Sequence, residues 1–100
     1  MEVKLNAVHF SADQKLVNFI NERVTKLETF YDKIISAEAT LKIEEGEGKE
    51  NKLVEIRLAV PGKDVFAKKM GKSFEEATDN VVEALRRQIK KHKSKDLSLA

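Results

Sequence analysis

Three stretches of the chain alternate apolar and polar residues with the two-residue period of a half-buried strand. Val3, Leu5 and Ala7 alternate with Glu2, Lys4 and Asn6. Ala37, Ala39, Leu41 and Ile43 alternate with Glu38, Thr40, Lys42 and Glu44, and Val54, Ile56, Leu58 and Val60 mark a third run. A shorter fourth run, Val65 to Met70, is broken by Gly71; Val65/Ala67 and Phe66/Met70 both look buriable, so its phase is open. Between the first two runs the period changes. Leu16, Val17, Phe19/Ile20, Val24, Leu27, Phe30/Tyr31 and Ile34 recur at helical spacing. Ser11-Ala-Asp-Gln14 in front of them has capping-box spacing, which predicts a helix from about Ala12 to Tyr31. A second box, Ser73-Phe-Glu-Glu76, opens a stripe of Phe74, Ala77, Thr78, Val81, Leu85, Ile89 and His92. That stripe predicts a helix from Phe74 to Lys93, about 30 Å long at about 1.5 Å per residue. Turn composition separates the strands at Gly46–Asn51 and at Pro61-Gly62-Lys63-Asp64.

The predicted order is β-α-β-β-β-α, an α+β domain. A strand-helix-strand start gives parallel neighbours with a right-handed crossover, and the two short turns give antiparallel hairpins. The expectation is a four-stranded mixed sheet with both helices packed on one face, a layout similar to a double-stranded-RNA-binding domain. Glu2, Lys4, Asn6, Glu38, Thr40, Lys42, Glu55 and Arg57 then fall on the open face, a solvated surface of mixed sign. Residues 1–95 form the domain, and residues 96–100 are expected to be a frayed tail.

Composition narrows the function. The chain has 100 residues, 41% apolar and 36% charged, with no Cys. That suits one packed domain and excludes disulfide scaffolds and thiolate chemistry. No apolar run reaches the roughly 20 residues of a membrane helix, and the N-terminus shows no secretory signal. A cytoplasmic protein with no membrane association is the expectation. Net charge is only +2, but its distribution is uneven. Residues 1–85 carry a net −3, whereas residues 86–100 carry a net +5. The cations there are Arg86, Arg87, Lys90, Lys91, Lys93 and Lys95. Cations in a last helical turn offset the macrodipole, but that accounts for one or two of them, not six. The excess points to an anionic partner. At about 100° per residue, those from Arg86 to Lys93 spread over about 160° of the helix, opposite Val81, Leu85 and Ile89. Lys15, Arg23 and Lys26 of the first helix are exposed too, diluted by Glu22 and Glu28.

Catalytic chemistry has little support. His9 and His92 are the only histidines, and no cluster has metal-ligand spacing. His9 with Asp13 is a weak pair. Glu44, Glu45 and Glu47 read as a solvated hairpin tip, lacking a calcium-loop pattern. The four glycines form no phosphate-binding motif. No cofactor, metal or small-molecule substrate is implied. Phe19, Phe30 and Phe74 belong to the helical stripes, with Tyr31 at the edge of one. Phe66 alone is then available on the open sheet face, which argues against a base-stacking RRM and for a reader of RNA backbone and shape. A general structured-RNA binder, or a protein-interaction module using a sheet edge or the Glu-rich hairpin, are the alternatives.

Two stretches resemble one family. Val24-Thr-Lys-Leu-Glu28-Thr-Phe-Tyr-Asp32-Lys-Ile34 is similar to K-L-E-x-[FYW]-x-[DH]-x-I. Ala84-Leu-Arg-Arg-Gln-Ile-Lys-Lys-His-Lys-Ser-Lys95 is similar to L-x-R-Q-L-x-K-x-K-x-K. Both are patterns of the ribosome hibernation promoting factors and ribosome-associated inhibitor A, also called sigma-54 modulation proteins. The element order matches as well. The resemblance implies a stress-response protein that binds the small ribosomal subunit and its RNA in resting cells. It would block the path of mRNA and A- and P-site tRNA, and be a monomer off the ribosome. Matched by position, it implicates Lys26, Arg87, Lys91, Lys93 and Lys95; helical geometry adds Arg23, Arg86 and Lys90. Where the family often has Asp-apolar-Tyr, this chain has Ser73-Phe74-Glu75. The second, ribosome-pairing domain of long members and the extended acidic tail of some inhibitors are not expected in this short form.

Overall fold

All four alternating runs become strands of one sheet in the computed structural model, which describes residues 1–45, 48 and 50–99, the last six by backbone alone. They are β1 (Glu2–Ala7), β2 (Ser36–Ile43), β3 (Lys52–Val60) and β4 (Lys63–Gly71), in the spatial order β1-β2-β3-β4. β1 runs parallel to β2, with Glu2 opposite Ser36, and the later pairs are antiparallel. The parallel pair needs a crossover, supplied by helix α1 (Gln14–Thr25) and a 3-10 turn at Lys26–Thr29. Helix α2 (Phe74–Leu99) follows β4 and packs on β3 and β4, beside α1.

The core lies between the sheet and the helices. Ala39, Leu41, Val54, Ile56 and Leu58 face Ile20, Val24, Val81, Leu85 and Ile89, and all are buried. The open phase of β4 resolves in the same way. Val65 and Ala67 point into the core while Phe66 and Met70 stand 44% exposed on the other face. Pro61 and Gly62 close a two-residue hairpin between Val60 and Lys63. Gly62 has φ +94°, a conformation open to glycine at little cost. Gly71 ends β4 where a Cβ would sit 2.9 Å from the Ala77 backbone N. The Glu-rich hairpin tip is described only in part: residues 46, 47 and 49, including Glu47, lie outside the described residues.

Three expectations about the helices need correction. The first helix starts at Gln14, and Asp13 rather than Ser11 is its cap: the Asp13 carboxylate accepts the Leu16 N–H at 2.8 Å. A carboxylate both satisfies a free donor and complements the helix dipole, so it outcompetes a hydroxyl two residues upstream. The helix also stops at Thr25, six residues short of Tyr31. The chain then tightens into a 3-10 turn, and the N–H groups of Phe30 and Tyr31 both donate to the Leu27 carbonyl at 3.1 Å. Three residues per turn advance the side chains out of the α-helical phase. As a result the expected roles of the two aromatics are reversed: Tyr31 is buried, edge-on to His92, and Phe30 is 47% exposed. Lastly, α2 carries helical backbone to Leu99, past the expected end at Lys93. The side chains of the tail at 96–100 lie outside the described residues. At the start of α2 the Ser73 half of the capping box forms, while Glu76 bonds one residue ahead of the cap. Ser73 Oγ accepts the Glu76 N–H at 3.1 Å, and the Glu76 carboxylate reaches back to the Lys72 N–H at 3.4 Å.

Candidate nucleic-acid interface

The basic residues singled out by sequence, Lys95 apart, stand on the surface of the helical layer, but their local electrostatics divide them. Arg23 bridges the helices. Its guanidinium donates to Asp79 of α2 at 3.0 Å and to Glu22 at 3.3 Å, and lies 4.5 Å from the centre of the Phe19 ring. Lys26 is 3.8 Å from the same Glu22 carboxylate. Both cations are therefore matched by acids within their own layer.

Arg86 forms a two-pronged pair with Glu83 at 2.7 and 3.2 Å, one helical turn back, and Arg87 approaches the same carboxylate at 3.6 Å. The hydrogen bond from Arg86, reinforced by the charges of Arg86 and Arg87, holds the Glu83 carboxyl below its ordinary pKa. The same hydrogen bond raises that of Arg86. Glu83 is thus an anion lodged among cations, with two arginines turned toward it.

Beyond Ile89 the balance ends. Lys90 and Lys91 are exposed and make no ion pair among the described residues. Lys93 Nζ donates to the main-chain carbonyl of Phe30 at 3.2 Å and has no counter-charge among the described residues. The Lys95 side chain lies outside the described residues.

Sequence reasoning missed a second group of cations along the outer edge of β4. Lys63 and Lys69 share the strand face of Val65 and Ala67 and so point toward α2. Lys63, Asp64, Gln88, Lys91 and His92 line a 170 Å³ cavity there, and Lys69, Asn80, Glu83 and Arg87 line one of 240 Å³. Gln88 ties helix to strand, its amide donating to the Phe66 carbonyl at 2.8 Å. The two-residue period of β4, once phased on Val65 and Ala67, is the signal that would have found these lysines.

Elsewhere the surface is unlike this. A cavity of 370 Å³ lies at the far end of the helical layer between Phe10, Leu16, Phe19, Asp13, Lys15 and Glu75. Glu75 therefore sits away from the basic end. His9, next to Phe10, has φ +64° at the bend leading out of β1. On the open sheet face charges pair locally: Lys68 is 3.8 Å from Glu55, and Arg57 is 4.0 Å from Asp64 and 5.9 Å from the Phe66 ring centre. Among the described residues no three His, Asp or Glu side chains gather as metal ligands, and no helix is long and apolar enough to cross a membrane.

Comparison with known proteins identifies relatives of the whole chain. Residues 3–96 match the family described as Sigma 54 modulation protein / S30EA ribosomal protein. A ribosome hibernation promoting factor of Pseudomonas putida is 32% identical over 99 residues, covering 99% of this chain and 93% of the relative. One from Escherichia coli K12 is 27% identical over 95 residues, covering 95% and 96%. Among solved structures, a ribosomal subunit interface protein from Coxiella burnetii superposes with a TM-score of 0.83 at 17% identity, covering 94% of this chain and 99% of that one. The N-terminal domain of Protein Y from Thermus thermophilus gives 0.78 at 19% identity, covering 92% and 99%. At these identities the two structures speak for the fold.

Proposed function

We propose a function from one premise: the chain belongs to the sigma 54 modulation protein / S30EA ribosomal protein family. Its curated relatives are named as ribosome hibernation promoting factors. In this reading the protein is a non-enzymatic, cytoplasmic hibernation factor. It binds the small ribosomal subunit as a monomer and occupies the path of mRNA and of A- and P-site tRNA. The observation that carries the reading is the basic end of α2, where Lys90, Lys91 and Lys93 meet no carboxylate among the described residues. A phosphodiester backbone supplies the missing anions, and the counterions released from it drive association. Arg86 and Arg87 join by exchanging Glu83 for phosphate, with which guanidinium forms charge-assisted paired hydrogen bonds. Mechanistically this is occlusion. A rigid helix seated on ribosomal RNA excludes other ligands of the same channel, and no bond is made or broken.

Sucrose-gradient co-sedimentation with separated subunits tests this. The protein is expected to travel with the small subunit, less so at high salt, and to be displaced by tRNA with mRNA. Equal competition by an arbitrary RNA duplex would replace the reading with that of a general RNA binder. Binding that survives high salt and nuclease would replace it with a protein-interaction module.

A further inference from the structure

Phe30 is an aromatic side chain held out of the core at the border of the cationic surface. Its ring is 47% exposed, whereas neighbouring Leu27, Tyr31 and Ile34 are all buried. The 3-10 turn at Lys26–Thr29 is what turns it outward. Two of the cations converge on it. The Arg86 guanidinium carbon lies 5.7 Å from the ring centre, and Lys93 donates to the residue's carbonyl at 3.2 Å. These contacts come from α2, 56 and 63 residues along the chain, and fix the ring between α1 and the basic end. A nonpolar ring flanked by cations fits one occupant well: an unpaired nucleobase, whose flat face stacks on the ring while its phosphates meet the lysines and arginines.

We propose that Phe30 is a base-stacking platform on which an unpaired base of the bound RNA rests, with Arg86 and Lys93 taking the flanking phosphates. This rests on the RNA-binding reading above and adds a contact of different physics. Phosphate contacts weaken with salt because they release counterions, while stacking does not. It also gives the surface a preference for RNA with extruded bases over regular duplex.

The test is equilibrium binding of the full chain to isolated small ribosomal subunits over a series of salt concentrations. Wild type is compared with Phe30→Ala, Phe30→Leu and Phe30→Trp. Ala and Leu are each expected to weaken binding about ten-fold, and Trp to match or exceed wild type. The slope of log affinity against log salt should be the same for all four. Melting curves accompany the series, since a half-exposed ring can be replaced with little effect on the fold. Leu binding as tightly as Phe would overturn the proposal, because an aliphatic contact would then suffice. So would a loss accompanied by a shallower salt slope, which would mean that Phe30 acts only by placing Arg86 or Lys93. Wild-type protein that fails to bind at low salt would bring down the RNA-binding reading itself, so the two failures are distinguishable.

Discussion

On the open face of the sheet, Lys68 faces Glu55, Arg57 faces Asp64 and Lys42 lies 4.0 Å from Glu44. At the basic end of α2, among the described residues, the one carboxylate Glu83 serves Arg86 and Arg87, and Lys90 and Lys91 have none. Both regions are densely charged, but paired surface ions cancel at a distance and are screened by salt. What remains is the unpaired excess. It produces the long-range field that steers an anionic partner. The lesson is that the number of cations on a face says less than the number of cations without partners.

The contrast is broken most severely by reversing the excess. Arg87→Glu with Lys91→Glu and Lys93→Glu is expected to lower small-subunit affinity by about three orders of magnitude or more at physiological salt. The melting curve should barely move, because these positions lie outside the core. Unchanged affinity would show that this face is not used. A finer comparison sets the unpaired lysines against the matched cations. Lys90→Ala with Lys91→Ala should cost about ten-fold in affinity and flatten the salt slope by between one and two. Arg23→Ala with Lys26→Ala should cost about two-fold, since Glu22 and Asp79 already cancel those charges. Equal losses would erase the distinction between them. Glu83→Gln works in the other direction. Removing the anion that holds two arginines is expected to tighten binding by about two- to five-fold, measured in the same assay. Because Arg86 keeps the Glu83 carboxyl below its ordinary pKa, mild acidification should not mimic this substitution. The smallest effect belongs to the sheet. Lys4→Ala with Lys68→Ala should leave affinity within about two-fold of wild type, and a larger loss would give the open face a part in binding.

Strand identity was legible because one face of each strand is buried and the other is not, so alternation survives in the residues themselves. The basic end of α2 was legible too, as six cations within the ten residues from Arg86 to Lys95 with no acid among them. What escaped were features decided between elements. Asp79 meets Arg23 only because α1 and α2 pack together, across 56 residues of chain. Lys63 and Lys69 join the cationic surface only once β4 has a phase and α2 lies over it. The reversed roles of Phe30 and Tyr31 turn on a local change from α to 3-10 geometry. Residue spacing at Leu27, Phe30 and Tyr31 is compatible with either, and burial of Tyr31 against His92 of α2 accompanies the tighter turn.

In chain order α2 comes after all four strands, and it is at once the lid of the core and the bearer of the cations. Val81, Leu85 and Ile89 bury against strands that all precede the helix in the chain. A nascent chain paused before Phe74 therefore has neither a closed interior nor a cationic helix. Closure of the native core and completion of the cationic surface thus depend on the same late element. On the reading proposed above, the chain would leave the ribosome that makes it without its main anchoring element until α2 has been made.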